Sequence, residues 1–151
     1  MPARGTELVD RIIQELERIS PANGFHTDAG SRVTRGRPES LELQQAGLPL
    51  ISVSTSASDP VTAKPRAVIK AREVLVTGLV DANERDYEPD LDELDEDITM
   101  ALLALMGMYA LPSTTEITIT GGDYIHPEGG SNTAGITHTI TISYALKKNE
   151  G

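Results

Sequence analysis

Three histidines are the residues of this sequence best suited to bind a metal ion, because the chain contains no cysteine. His126 and His138 flank a glycine-rich segment, and they could lie opposite each other if the strands on either side form a hairpin. Glu128 is close by in the sequence, whereas His26 is far away. Because a metal site needs three or four convergent ligands, we interpret these residues as ordinary strand histidines.

Other catalytic signatures are missing from the sequence. It has no phosphate-binding loop, no nucleophile elbow and no zinc-protease motif. The absence of cysteine also excludes disulfides, thiolate zinc sites and cysteine nucleophiles. We therefore predict no catalytic residue, no metal, no cofactor and no enzymatic activity. The alternative function, of a different class, is that of a small cytoplasmic metal-dependent enzyme that uses His126, Glu128 and His138.

The composition of the chain excludes several further classes of function. Aromatic residues make up 3% of the 151 residues, which argues against a stacking platform for single-stranded nucleic acid. No apolar run reaches the roughly 18 residues of a membrane-spanning helix, so no membrane partner is expected. The first residues lack the apolar core of a signal peptide, which favours the cytoplasm as the place of synthesis.

Negative charge is concentrated in one segment. The net charge is -10, and the segment 81–97 has ten acids and a single base, Arg85. Because a helix would splay these carboxylates outward, we interpret the segment as a solvated acidic helix face rather than a calcium or magnesium site. The acids of this acidic strip are Asp81, Glu84, Asp86, Glu88, Asp90, Asp92, Glu93, Asp95, Glu96 and Asp97.

Basic residues lie in two acid-free stretches. The first holds Arg32, Arg35 and Arg37, and the second holds Lys64, Arg66, Lys70 and Arg72. Opposite charges on separate patches can join copies of one chain head to tail, and such contacts form rings when the rotation closes. The expected subunit interface is therefore formed by Arg32, Arg35, Arg37, Lys70 and Arg72 on one side, and by Asp92, Glu93 and Glu96 on the other. The sequence leaves open whether the acidic strip faces a neighbour or a central bore.

Two helices are predicted from apolar residues on a period of 3.6 residues. Thr6 is the expected N-cap of the first helix, and Ser20 and Pro21 end it. The second helix is expected to begin near Pro89, with the acids in its first two turns, and to stop at Gly107. The two apolar stripes are Leu8, Ile12, Leu16 and Ile19, then Leu91, Leu94, Ile98, Ala101, Leu102 and Leu105.

Strands are predicted around 32–35, 48–54, 66–82, 116–120 and 136–146. The last of them has six apolar or aromatic-ring positions on a strict two-residue period, which is the clearest signal in the sequence. The first half of 66–82 is expected at an exposed edge of the sheet. The segments Thr55–Pro65 and Gly121–Gly135 are interpreted as long loops.

This succession of elements predicts one domain over residues 1–151, with the order α-β-β-β-α-β-β. The fold class is α+β: a mixed, mostly antiparallel sheet with two helices packed on it.

Nearly the whole chain resembles, as a pattern of elements, the tail-terminator family of long-tailed bacteriophages, also known as minor tail protein U-like or tail-completion proteins. The features that carry the resemblance are Leu8-x3-Ile12-x3-Leu16-x2-Ile19; Gly24-Phe25-x-Thr27-Asp28-x-Gly30 leading into Val33-x-Arg35-Gly36-Arg37; Leu48-Pro49-x-Ile51-Ser52-Val53; Val76-x-Gly78; and Leu91-x2-Leu94-x3-Ile98-x3-Leu102.

The resemblance implies a structural protein. Such a protein forms a hexameric ring on the finished tail tube, stops its polymerisation and presents a joining surface to the head-completion or neck protein. DNA passes through the ring without specific binding. The implied location is the head-proximal end of the virion tail, and the host cytoplasm during assembly. A tail-tube or head–tail connector subunit is the alternative within the same setting.

Overall fold

The computed structural model describes residues 3–36, 47–55, 61–65, 67–82, 86–106, 114–127 and 132–147. Its helices are α1 (Arg4–Leu16) and α2 (Glu88–Met106), with short 3-10 turns at Pro21–Asn23 and Ala29–Arg32. The strands are β1 (Val33–Arg35), β2 (Leu50–Thr55), β3 (Val61–Lys64), β4 (Ala67–Asp81), β5 (Thr114–Ile125) and β6 (Thr133–Lys147). No helix in these residues is both long and apolar enough to cross a membrane.

The strands form one six-stranded sheet with the order β1-β2-β4-β6-β5, and β3 pairs with the first part of β4. β1 runs parallel to β2, and every other pair is antiparallel. The predicted fold class is therefore confirmed: an α+β arrangement with a mixed, mostly antiparallel sheet and two helices. β4 and β6, of 15 residues each, pair along their whole length and form the centre of the sheet.

Alternation along β6 decides which face of the sheet is buried. Ile136, Ile140 and Ile142 are fully buried, while Thr139 and Thr141 between them are only half-buried. Their register partners on β4 share this face, because directly opposed residues in a ladder point the same way. One face thus carries the core, and the second face carries a row of hydroxyls.

Both helices pack on this buried face. Leu94 and Ile98 of α2 lie against Gly78 of β4, where an added Cβ would come within 2.7 Å of the Leu94 Cδ2 atom. On the same face of β4, the guanidinium of Arg72 lies beside Gly5 of α1, and the apolar stripes of both helices join one hydrophobic cluster. A glycine at position 78 therefore allows the close approach of helix and sheet.

The structure corrects both expected ends of α1 and the character of the segment 55–65. α1 stops at Leu16, with Glu17 as its C-cap, and not at Ser20 and Pro21. α1 begins at Arg4, so Thr6 is a helical residue and not the N-cap, and Ala3 takes that position without a side-chain hydrogen bond. The expected loop Thr55–Pro65 contains β3, which pairs with residues 67–70. The first half of β4 is consequently not a sheet edge, because β3 and β6 flank it. The ladder gives the backbone groups of this segment their hydrogen bonds.

A second correction concerns the segment Gly121–Gly135. β5 continues through it to Ile125, and β6 begins at Thr133, so most of the expected loop is strand. A bulge between Gly121 and Asp123 absorbs the paired glycines, and Gly122 adopts a positive φ of 93° there. Glycine at 121 is required because a Cβ would lie 2.6 Å from the Cα atom of His138.

Candidate assembly surfaces

One acid of α2 is buried and binds the segment that precedes β1. Asp97 is 2% exposed, and its carboxylate accepts hydrogen bonds from the backbone N–H groups of His26 and Thr27 at 2.9 and 2.8 Å. The Thr27 hydroxyl donates a third bond at 2.8 Å. The interpretation of the acidic strip as a wholly solvated face is therefore wrong for Asp97, because this residue lies on the buried side of the helix.

Two histidines also bind the acids of α2. His138 is 5% exposed, and its Nε2 atom lies 2.7 Å from Oδ1 of Asp95. The Nε2 atom of His26 lies 2.9 Å from Oε2 of Glu96 on the exposed side of the helix. These contacts tie α2 to β6 and to the loop before β1, so much of the acidic strip has a role within the chain.

An aromatic cluster lies where β5 ends. The Tyr124 hydroxyl donates a hydrogen bond of 3.0 Å to Asp92, and the Tyr87 hydroxyl lies 2.6 Å from Nδ1 of His126. The rings of Tyr124 and His126 stack with centroids 6.3 Å apart. The hydrogen bond to Asp92 raises the pKa of Tyr124 above its ordinary value, helped by desolvation and by the negative charges of Asp92, Asp95 and Glu88.

We expect Asp92→Asn to lower the pKa of Tyr124 toward 10.0, because the neutral amide no longer opposes the phenolate charge. The measurement is a pH titration of the tyrosine ring carbons by NMR, with the signal assigned by Tyr124→Phe. Glu93→Gln is the matched control, since Glu93 is not among the groups that raise this pKa. An unchanged titration midpoint in Asp92→Asn contradicts the geometry of the cluster.

The structure contradicts the expectation that His126 and His138 face each other across the hairpin. The register places Gly121 opposite His138, and His126 lies beyond the last paired residue of β5, Ile125. The continuation of β5 through its bulge is the cause. Glu128, the third residue of the proposed metal set, lies outside the described residues. Over the described ranges, no group of three or more His, Asp or Glu side chains is arranged to hold a metal ion.

The predicted basic interface residues lie in several places. Arg32 binds groups of its own chain: its Nε donates to the carbonyl of Pro49, just before β2, at 2.7 Å, and its Nη2 lies 2.5 Å from Oδ1 of Asp28. Arg35 forms an ion pair with Asp10 of α1. Lys70 and Arg72 are half-buried on the helix-covered side of β4, and Arg37 lies outside the described residues.

Of the predicted acidic partners, Glu93 is exposed and lines a cleft of about 520 Å³ between α2, the end of β4 and the loop before β1. Asp28, Asp81 and Asp90 line the same cleft. Asp92 and Glu96 bind Tyr124 and His26 respectively, as described above. The structure therefore brings the acids together at one end of the sheet.

The two ends of the sheet carry opposite charges. At the end where β4 stops, which we call the acidic end, lie Asp81 and the first turn of α2 with Glu88 and Asp90. At the opposite end, called the basic end, Lys64 pairs with Ala67 and Ala67 pairs with Lys147 in the register. Lys70 follows on β4, so three neighbouring strands place a lysine at this end.

The second half of α2 exposes apolar side chains. Met100, Leu103 and Met106 are 61%, 50% and 46% exposed, and residues 98–106 contain no charged residue. A groove of about 640 Å³ adjoins Met100 and is bordered by Phe25 and Glu96. The apolar pattern alone does not reveal this surface, although Met100 and Leu103 fall outside the predicted buried stripe. Neighbouring exposed apolar side chains make this part of α2 a candidate contact surface.

Comparisons with known proteins give a likeness of fold. Neither the protein-family models nor the curated proteins contain a match. Among solved structures, the chain is similar to one chain of a structure described as the "Virion of native gene transfer agent (GTA) particle". The TM-score is 0.51 with 11% sequence identity, over 92% of this chain and 95% of that chain. The two chains therefore share a fold over almost their whole lengths.

Proposed function

We propose that this protein is a structural component of a virion, and that it acts as a tail terminator. The observation that carries the proposal is the likeness of fold, over almost the whole of both chains, to a chain of a virion. The resemblance of its sequence pattern to tail terminators supports the finer assignment. In this role, copies of the chain form a hexameric ring on the tail tube, stop its polymerisation and offer a surface to the head-completion or neck protein.

The unlike ends of the sheet suit a ring with two different faces. A terminator must bind the tube on one side and the neck on the other, so the two contact surfaces cannot be the same. The acidic end, with Asp81, Glu88 and Asp90, and the basic end, with Lys64 and Lys147, differ in the sign of their charge. Opposite charges favour the correct partner on each side and disfavour the wrong one.

DNA passes through the ring in this proposal without being held. With a net charge of -10, the protein repels the phosphate backbone, whose contacts with basic side chains supply most non-specific affinity for DNA. As a tail terminator, the protein would lie at the head-proximal end of the virion tail, after assembly in the host cytoplasm.

Charged residues are proposed to guide the contact between subunits. Arg32, Arg35, Arg37, Lys70 and Arg72 on one copy and Asp92, Glu93 and Glu96 on the next remain the proposed set. Since Arg32 and Arg35 already bind carboxylates of their own chain, they add little net attraction. Exposed ion pairs contribute about 0–1 kcal/mol each, so charge sets direction and register rather than the strength of the ring.

Deletion of the coding sequence in a particle-producing strain tests the proposed function. We expect tail tubes of uncontrolled length without heads, because nothing caps the growing end, and complementation in trans should restore normal tails. Electron microscopy measures both properties. Loss of all tubes would instead identify a tube subunit, and headless tubes of normal length a connector subunit. Normal, joined particles contradict every virion role proposed here.

A further inference from the structure

One side of α2 forms a surface stripe that changes from acidic to apolar along the helix. This outer stripe consists of Glu93, Glu96, Met100, Leu103 and Met106, all of them exposed. Their spacings of three and four residues place them on one side of the helix. Because the exposed fractions of the last three are between 46% and 61%, much apolar surface remains in contact with water.

A second surface, on the helix-covered side of the sheet near the basic end, has the complementary composition, whereas Lys64 and Lys147 occupy positions of the second face. This basic-end patch consists of Val61, Val68, Lys70 and Leu146, from β3, β4 and β6. The register pairs Val61 with Lys70 and Val68 with Leu146, so all four share the helix-covered side of the sheet. Val61 is 56% exposed and Leu146 is 40% exposed. The patch therefore joins exposed aliphatic side chains to a lysine.

We propose that the outer stripe of α2 on one copy binds the basic-end patch of the next copy. Met100 and Leu103 would cover Val61 and Leu146, while Lys70 would lie near Glu93 or Glu96. A second copy is the occupant because this chain itself carries the matching combination of aliphatic surface and opposite charge. The inference deepens the proposed function by naming the contact that builds the ring.

Apolar burial provides most of the attraction in this contact. Apolar surface removed from water stabilises a contact in proportion to its area, whereas an exposed ion pair contributes little. The charges fix the direction, because reversing the stripe on the patch would place Lys70 beside the apolar end of the stripe at Met106 and away from Glu93 and Glu96. Since the two patches differ, the contact is head-to-tail, and its repetition gives a closed ring when the rotation between copies allows it.

Cysteine cross-linking tests the contact, and the natural chain contains no cysteine that could interfere. Leu103→Cys and Val61→Cys replace exposed residues, so neither variant should unfold the protein. We expect concentrated Leu103→Cys mixed with Val61→Cys to yield dimers with a short bismaleimide. The double variant should give a ladder of multimers, and each single variant alone should remain uncross-linked. The matched control combines Leu103→Cys with Thr139→Cys on the second face of the sheet, and should give no ladder.

Two results overturn the inference. Dimers of Leu103→Cys alone would mean that identical surfaces meet, and no ladder from the double variant would mean that another protein, or none, covers the stripe. The deletion experiment distinguishes failure of the proposed subunit contact from failure of the proposed function. Absence of the ladder together with over-long tubes after deletion would reject the contact and retain the terminator. A ladder together with normal tubes would retain the contact and reject the terminator.

Discussion

Ile140→Asp is expected to unfold the protein at room temperature. Ile140 is fully buried at the centre of β6, where the register places Val74 on one side and Ile119 on the other. An unpaired carboxylate in such a position costs several kcal/mol, and it also removes the apolar contacts of the isoleucine. Since the total stability of a typical domain is about 5–15 kcal/mol, one such change removes most of it.

The adjacent residue supplies the matched control. Thr139 is half-buried on the second face, and its register partners are Leu75 and Thr120, so Thr139→Asp meets no like charge directly opposite. Thr141 is less suitable because Glu73 lies opposite it. Urea unfolding followed by circular dichroism should show a cooperative transition for Thr139→Asp and none for Ile140→Asp. Equal transition midpoints would show that the faces of β6 are assigned wrongly.

Asp97→Ala is expected to destabilise the protein by about 2–4 kcal/mol, because three donors lose a buried acceptor. These donors are the backbone N–H groups of His26 and Thr27 and the Thr27 hydroxyl. Asp97→Asn should lower the free energy of unfolding by less, since the amide keeps one oxygen as an acceptor. Equilibrium unfolding in urea gives the free energy for each variant.

Glu96→Ala is the control for this prediction. Glu96 is the neighbouring acid, its side chain is 68% exposed, and it contacts only the exposed ring of His26 among the interactions described. The expected loss is about 0.5 kcal/mol or less, as for most exposed sites. Similar losses for Asp97→Ala and Glu96→Ala would show that the loop before β1 is not held by the buried carboxylate.

Long, regular patterns made most of the fold predictable. In β6 the apolar positions alternate without interruption, and its buried face follows from that alternation. The α2 stripe through Leu94, Ile98 and Leu102 likewise predicts the helix and its packing side, which the structure confirms. In both elements, burial and local pattern favour the same conformation.

Short or irregular elements were not predictable in the same way. β3 has four residues, and its pairing with β4 depends on a neighbour that its own pattern does not reveal. Gly121 and Gly122 are typical of a loop, but here they form a bulge within a continuing strand. Tertiary pairing overrides local propensity at both places.

The buried polar residues could have been recognised from their positions in the sequence, although a pattern that considers only apolar residues overlooks them. Asp97 is three residues after Leu94, so the period of α2 itself places it on the buried side. His138 similarly shares the buried positions of Ile136 and Ile140. A polar residue on an apolar stripe predicts a buried partner, but the partner of Asp97 is the backbone of a loop some 70 positions away. Only the fold identifies it.

The assembly surfaces, like the partner of Asp97, are identified only by the fold. The strand register places lysines from three strands at the basic end, with Lys64 and Lys147 at positions of the second face and Lys70 on the helix-covered side. The sequence alone separates them by many residues. The outer stripe of α2 becomes visible only when the exposed fractions of Met100 and Leu103 are known. Charge segregation could be predicted from the sequence, whereas its geometric arrangement could not.

The proposed terminator role is tested most directly by a cryo-electron microscopy reconstruction of the head–tail junction in purified particles that carry a small tag on this chain. We expect a single hexameric ring of this chain at the head-proximal end of the tube, with its acidic and basic ends facing opposite directions. Absence of the chain from the particles, or its repetition along the length of the tube, would contradict the terminator role.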